Sequence, residues 1–293
     1  MISLVEQDEK RVEQVKAKLF KMGGQAHIIG VTGSPGSGKS TLVNALSKSL
    51  AADSKKVAIL AVDPSSPFSG GAILGDRIRM AETANLDNVF IRSLATRGYL
   101  GGLSKSSFDA IQLCDSAGFD YIIIETVGVG QAEIDIAKIA HTCLLVLVPG
   151  MGDGVQAMKA GVLEIADSFI LNKADKDGID RLKKDIRMML SLASVKPSWE
   201  PNIIETVAVE SKGIDKVKDE IVKHRKWLTS TSEGFEKQVK IMETQLVRLL
   251  GSKVTEKLFV GAGDLISAAK DCVERKSDPY TLIDLEIEKL GLR

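Results

Sequence analysis

The segment Gly33–Ser40, which reads GSPGSGKS, has the residue types and the spacing that hold phosphate groups. Glycines let successive backbone N–H groups converge on an anion, and a helix that starts after such a loop turns the positive end of its dipole toward it. In this pattern the lysine reaches the β- and γ-phosphates, and the serine hydroxyl ligates Mg²⁺. We therefore expect a nucleoside triphosphate to contact Ser34, Pro35, Gly36, Ser37, Gly38, Lys39, Ser40 and Thr41.

A second motif, Asn172-Lys173-Ala174-Asp175, follows the apolar run 168–171. The carboxylate of Asp175 can accept hydrogen bonds from both N1–H and the exocyclic amine of guanine, whereas adenine offers no matching pair of donors. We expect Asn172 to hold the loop and contact the ring, the stem of Lys173 to lie over the base, and the backbone N–H of Ala208 to reach guanine O6. The alternative interpretation is a polar turn without a ligand.

Carboxylates that could serve the metal follow two further apolar runs. Glu125 opens the sequence Glu125-Thr126-Val127-Gly128, an acidic-x-x-Gly pattern in which the acid holds Mg²⁺ through water and the Gly128 N–H senses the γ-phosphate. Asp63 and Asp76 are candidates for carboxylates at or behind the metal, although each could equally cap a loop.

The position after Gly128 is occupied by Val129, where efficient small GTPases have a glutamine that orients the attacking water. Slow intrinsic hydrolysis is therefore expected. Gln131 is close in sequence and could act after the loop rearranges, but it is equally suited to the start of a helix. A partner that reshapes this loop would be a natural way to accelerate the reaction.

These motifs need a scaffold of strands and helices, and the apolar pattern supplies one. Strand-like runs alternate with amphipathic helical segments, which indicates an α/β fold with a mostly parallel central sheet flanked by helices, as in P-loop NTPases. The predicted strands are 28–31, 57–62, 89–94, 121–124, 143–148, 169–171 and 203–209. Residues 2–22 are predicted to form a helix, and the chain after Gly213 is predicted to be largely helical.

The predicted organisation is an N-terminal helical extension (1–24), a nucleotide domain (25–228) and a C-terminal helical extension (229–293). In the last, apolar residues recur in steps of four and three and suit either packing within the chain or a partner helix; they are Phe235, Val239, Met242, Leu246 and Leu249.

Composition excludes several classes of partner. The 39 basic and 39 acidic residues leave no net charge, so neither nucleic acid nor a membrane surface is expected as a partner. No apolar stretch approaches the roughly 20 residues that span a bilayer. The 3 cysteines are scattered, which favours a reducing compartment, and we expect a cytoplasmic protein.

Taken together, the motifs resemble those of the MeaB/ArgK-type P-loop GTPases, which are associated with methylmalonyl-CoA mutase. The stretches Asp63–Pro67 (DPSSP) and Gly70–Arg77 (GGAILGDR) are more diagnostic than the phosphate loop. The resemblance implies a homodimer that binds GTP/GDP and Mg²⁺. It also implies a chaperone of an adenosylcobalamin-dependent acyl-CoA mutase, in which GTP hydrolysis gates cofactor delivery and protects the mutase.

The resemblance also assigns residues. It makes Lys39 a phosphate ligand, Ser40 a Mg²⁺ ligand, and Asp63, Asp76 and Glu125 the carboxylates near the metal. The segment Gly152–Lys159 resembles an additional switch that communicates with the client.

The sequence departs from the pattern at two points. Val207 replaces a serine that often precedes the alanine of the guanine loop, and the N-terminal extension is short. Two other functions share the phosphate loop: a kinase of a small amino-acid-like substrate and a metallochaperone GTPase for another metalloenzyme. The second needs clustered soft or imidazole ligands, whereas His27, His141 and His224 are scattered in sequence.

Overall fold

The computed structural model describes residues 2, 17–63, 81–95, 105–126, 132–150, 165–191, 198–258 and 262–289. Within these ranges 7 strands form one sheet in the order β3-β2-β4-β1-β5-β6-β7, and every neighbouring pair is parallel. The strands are β1 (His27–Thr32), β2 (Val57–Asp63), β3 (Val89–Ala95), β4 (Tyr121–Thr126), β5 (Thr142–Leu147), β6 (Ser168–Asn172) and β7 (Asn202–Thr206).

Helices cover the sheet on both faces. The described helices of the whole chain are α1 (17–22), α2 (Lys39–Ala52), α3 (Ala81–Ala84), α4 (Lys105–Ser116), α5 (Ala132–Ala137), α6 (Ile179–Ser191), α7 (Ile214–Ser230), α8 (Ser232–Leu258), α9 (Ala262–Val273) and α10 (Pro279–Lys289). A short 3₁₀ helix, Ala208–Glu210, follows β7.

The two-residue period of the strands divides the core between these faces. In β1, Ile29 and Val31 pack with α2 and α7, whereas Ile28 packs with α4 and α5. Because helices cover both faces, the central strands are apolar almost throughout, as is typical of parallel sheets. The strand that precedes the phosphate loop, β1, lies between β4 and β5 and is therefore hydrogen-bonded on both sides.

The predicted α/β fold with a parallel sheet is confirmed, and each predicted strand overlaps an observed one. The largest error is at β7, which ends at Thr206 and not at residue 209. The next residues leave the sheet because the Val207 N–H and C=O both pair with Lys212, closing a tight loop. Residues 17–22 are helical as predicted, while residues 3–16 of the same prediction lie outside the described ranges.

The chain divides into two compact units, Met1–Ile241 and Met242–Arg293, and the boundary falls within α8. The division at residues 24 and 228 drawn from the sequence stays a prediction. Among the described residues, no helix combines the length and the apolar character needed to cross a membrane.

Candidate nucleotide site

The phosphate loop joins the end of β1 to the start of α2 and is shaped by glycines. Gly33, Gly36 and Gly38 have φ angles of 140°, 77° and 89°. Residues that carry a Cβ rarely adopt this region of the backbone. Space is restricted as well, since a Cβ on Gly33 would lie 2.2 Å from the carbonyl oxygen of Val146. The loop therefore follows the protein backbone of β5 closely, and only glycine fits at that point.

Lys39, the first residue of α2, is buried, with 5% of its surface exposed. Its ammonium group donates to the carbonyl oxygens of Gly33 (2.7 Å) and Ser34 (3.0 Å). The charge is thus held against the loop at the helix N-terminus, where an anion is favoured. This is the position in which a phosphate-binding lysine is expected.

The next residue, Ser40, connects the loop to β4. Its hydroxyl donates to Glu125 Oε1 at 2.5 Å, and Glu125 is 8% exposed. The contact follows from the register of the sheet, in which Glu125 pairs with Val31 near the end of β1. A hydroxyl and a carboxylate side by side are the oxygen ligands that Mg²⁺ prefers, so these two residues fit the predicted metal site.

Other predicted metal and switch residues are described only in part. Asp63 is the last residue of β2, one position beyond Val62, which pairs with Thr126 next to Glu125. This register brings the Asp63 backbone to the same edge of the sheet as Glu125, but its side chain is not described. Asp76, Gly128, Gln131 and the segment 152–159 lie outside the described residues.

Asn172, the last residue of β6, joins the phosphate loop to the predicted base loop. Its Nδ2 donates to the Ser37 carbonyl (2.9 Å), and its Oδ1 accepts from the Thr206 hydroxyl (3.2 Å) and the Ala208 N–H (3.1 Å). The fit is tight, since a Cβ on Gly38 would come within 2.3 Å of Asn172 Nδ2. One buried amide thus fixes the distance between the two loops.

Lys173 continues this connection. It has a left-handed backbone (φ 58°), which is uncommon for a lysine and concentrates at functional sites. Its ammonium group donates to the Gly36 carbonyl at 2.9 Å, so the aliphatic stem runs across the gap between the loops. Asp175, two residues further, is exposed. In this arrangement a base could lie on the Lys173 stem with its edge toward the exposed carboxylate of Asp175.

The structure adds two facts that the sequence did not predict. Thr206 anchors Asn172 from the neighbouring strand, because the two residues are paired in register between β6 and β7. No sequence signal identifies it, since the pairing depends on the sheet. The Ala208 N–H, predicted to contact guanine O6, is already donated to Asn172, so contact with the base would require this N–H to be shared or released.

The chain is similar to known proteins in both sequence and fold. The family model described as methylmalonyl Co-A mutase-associated GTPase MeaB matches residues 1–262. A Pyrococcus horikoshii protein provisionally named a GTPase is 43% identical over 293 residues, covering 99% of this chain and 92% of its own length. The Mus musculus protein named methylmalonic aciduria type A homolog, mitochondrial, is 39% identical over 195 residues, covering 65% of this chain and 47% of its own length.

Among solved structures, one described as an LAO/AO transport system kinase has a TM-score of 0.71 at 26% identity, and the match covers 99% of this chain and 91% of that one. The family expected from the motifs is confirmed, and with it the expectation of a P-loop GTPase. The chain belongs to the MeaB family of methylmalonyl-CoA mutase-associated GTPases.

Proposed function

We propose that this GTPase hydrolyses GTP to GDP and phosphate with Mg²⁺ and acts as a chaperone of an adenosylcobalamin-dependent acyl-CoA mutase. The observation that carries the nucleotide part is the Asn172 amide, which bonds the phosphate loop and the β7 loop at once. It supports the proposal that the predicted phosphate ligands and the predicted guanine ligand form one site, because it connects the loops that carry them. Asp175 in that site favours guanine over adenine.

In this proposal each residue has one task. Lys39 neutralises the β- and γ-phosphates, and Ser40 and Glu125 hold Mg²⁺, which supplies charge stabilisation for the leaving phosphate. Asp63 and Asp76 are the other proposed carboxylates near the metal, and Gln131 is the candidate for orienting water. Because Val129 cannot orient water, hydrolysis is slow until a partner reshapes the loop.

The client is proposed from the family, whose description associates it with methylmalonyl-CoA mutase. GTP binding and hydrolysis would gate delivery of the cobalamin cofactor and protect the mutase from inactivation. A cytoplasmic location of this protein is part of the proposal, supported by its scattered and free thiols Cys114, Cys143 and Cys272, which suit a reducing compartment.

A homodimer built on α8 is part of the proposal. The apolar residues predicted to form a stripe are exposed in the single chain: Phe235 (66%), Val239 (47%), Met242 (37%), Leu246 (59%) and Leu249 (44%). Their steps of four and three average the ~3.5-residue repeat of a coiled-coil seam, which an identical helix can complete. Sedimentation analysis should show a dimer that Leu246→Glu converts to monomer; a monomeric wild-type chain would contradict this part.

The client assignment is tested by steady-state GTP hydrolysis with and without an adenosylcobalamin-dependent acyl-CoA mutase of the same organism, using ATP as the specificity control. We expect the mutase to stimulate GTP turnover strongly and ATP to be a poor substrate. If GTP is hydrolysed slowly whatever mutase is added, the guanine chemistry stands and the client assignment falls.

A second candidate function is favoured by the match to the structure described as a transport system kinase. A kinase would transfer the γ-phosphate to a small amino-acid-like acceptor and not to water. Preference for ATP over GTP in the same assay, with less free phosphate released than triphosphate consumed when an acceptor is present, would favour the kinase.

A further inference from the structure

A buried hydrogen-bonded network lies at the amino ends of the strands, opposite the nucleotide site. His27 Nε2 is 2.7 Å from Thr142 Oγ1, and the same oxygen is 2.7 Å from His224 Nδ1. These side chains come from β1, β5 and α7, and all three residues are at most 2% exposed. Polar groups this deep are costly unless they are paired, so the arrangement specifies how these elements meet.

The network ends in an ion pair with α8. Asp167, directly before β6, accepts the backbone N–H of Cys143 on Oδ2 (2.7 Å) and the ammonium group of Lys237 on Oδ1 (2.5 Å). His224 Nε2 lies 3.4 Å from the same Oδ1. We call His27, Thr142, Asp167, His224 and Lys237 the basal network.

The Asp167 carboxylate determines which groups of the basal network donate hydrogen bonds and which accept them. Asp167 beside His224 Nε2 favours the tautomer protonated at that nitrogen, which leaves Nδ1 to accept the Thr142 hydroxyl proton. The Thr142 oxygen then accepts the N–H of His27. Burial supports neutral imidazoles, because it lowers the pKa of His27 well below its usual value and that of His224 to about 4. His224 Nε2 forms no hydrogen bond with the described residues, so the Asp167 charge acts on it across 3.4 Å, and removing that charge weakens the preference for this tautomer.

The position of the network relates it to the nucleotide loops. His27 begins β1, which leads into the phosphate loop, and Asp167 precedes β6, which ends at Asn172. Strands of five or six residues span only about 17–20 Å. The network therefore fixes the amino ends of β1 and β6, and the carboxyl ends of the same strands carry the two nucleotide loops. In the described part of the chain, no group of three or more His, Cys, Asp or Glu side chains is arranged to hold a metal.

From this juxtaposition we propose that Asp167 and Lys237 are positioning residues for the nucleotide loops. By holding β1, β5, β6 and the first turns of α8 in one arrangement, the pair couples the docking of α8 to nucleotide binding. When Lys237 is lost, Asp167 keeps the Cys143 N–H but its Oδ1 faces the neutral His224 without a cation, and the strand ends lose their fixed spacing. The proposal requires only that the chain binds a guanine nucleotide and is independent of the client.

The network contains its own reporters. The chain has 2 tryptophans, and the ring centres of both lie close to that of His224: Trp199 at 4.6 Å and Trp227 at 5.3 Å. Trp199 also donates its indole N–H to the Asp167 carbonyl at 2.8 Å. Tryptophan emission therefore monitors the basal network, although the nucleotide binds at the other end of the sheet.

The test compares Lys237→Met, which keeps the aliphatic stem, Lys237→Arg, which keeps the charge, and the near-isosteric Asp167→Asn. Lys226→Met, at an exposed lysine of α7, is the control. Calorimetry measures the Kd for GDP and for a non-hydrolysable GTP analogue on folded protein, and tryptophan emission is recorded with and without each nucleotide.

We expect nucleotide to change the tryptophan emission of the wild type and of Lys226→Met. In Lys237→Met and Asp167→Asn the Kd should rise about fivefold or more, the lower range of coupling between sites, and the emission change should be lost. Lys237→Arg should restore both. Wild-type Kd values in both charge-removing variants, with only the unfolding midpoint lowered, would overturn the proposal and leave the pair as a structural anchor. The proposal would also be overturned if the tryptophan emission of the wild type did not change when nucleotide binds.

Discussion

Asn172 shows how much of the candidate site depends on a single side chain. Its amide makes three of the four hydrogen bonds it can form, to Ser37, Thr206 and Ala208. The sequence motif predicted that Asn172 holds a loop, but it could not name the partners. These come from a strand and a loop that are far apart in sequence, and the register of the sheet decides which of their groups face each other.

The first prediction at the residue scale concerns base selection. Asp175→Asn should move nucleotide preference from guanine toward xanthine, because the amide replaces one acceptor by a donor that matches the second carbonyl of xanthine. We expect GDP to bind about 10- to 100-fold more weakly, the value of one hydrogen bond to a charged group. Competition binding of GDP and XDP measures this.

Asp177→Asn is the matched control, since this exposed aspartate lies in the same turn and also loses a charge. Equal losses of GDP affinity in both variants would show a general charge effect and would remove Asp175 from the selector role.

The second prediction concerns the metal. Glu125→Gln keeps an oxygen that can accept the Ser40 hydroxyl but removes the negative charge that a divalent cation needs. The Mg²⁺ concentration required for half-maximal GTP turnover should rise about tenfold or more, while GDP affinity measured without metal stays close to wild type. An unchanged Mg²⁺ dependence would refute the role of Glu125.

At the scale of elements, the loop after β7 shows where sequence patterns fail. Its apolar run Val207-Ala208-Val209 continues the strand pattern, yet the backbone turns into a 3₁₀ helix. The cause lies outside the run. Ser211 adopts φ 56° and Gly213 φ 80°, which lets Lys212 fold back onto Val207. The strands of β1, β4, β5 and β6 were predicted well because continuous burial on both faces demands apolar residues throughout.

Two glycines with the same φ angle but different surroundings test how tightly the loop after β7 is packed. Gly213 and Gly118 have φ angles of 80° and 79°, but a Cβ on Gly213 would lie 2.3 Å from the Glu205 carbonyl oxygen, whereas one on Gly118 meets nothing within 4 Å. Gly118→Ala should lower the free energy of unfolding by about 1–2 kcal/mol, the cost of the left-handed backbone.

Gly213→Ala should cost at least about 1 kcal/mol more, because the backbone must also move. Urea unfolding monitored by tryptophan emission gives both values. An equal decrease in the free energy of unfolding for the two variants would mean that the loop after β7 moves to accept the Cβ without a further loss of stability.

For the whole molecule, the histidines set the dependence of stability on pH. Burial lowers the pKa of His141 and of His224 to about 4 and that of His27 well below its usual value, so all three stay neutral in the folded state. In the unfolded chain they titrate near 6.5. Their contribution is complete above that pH and is lost as the pH falls toward 4.

The free energy of unfolding should therefore fall by about 1.4 kcal/mol per pH unit for each histidine below pH 6.5. Urea unfolding at pH 7.5, 6 and 5 measures this, and the range excludes most carboxylate titration. A His141→Gln variant should show a shallower slope. A wild-type stability that is constant over this range contradicts neutral burial.

The central position of β1 also determines the order in which the molecule comes apart. Amide protons of β1 are protected by strands on both sides, while β7 is the outermost described strand on its side of the sheet. Local opening at that edge releases Thr206 and its hydrogen bond to Asn172, while the loop of Gly33–Ser40 remains attached to a strand that is hydrogen-bonded on both sides. A partly opened molecule would thus still bind phosphate groups after it has lost its selectivity for guanine over adenine.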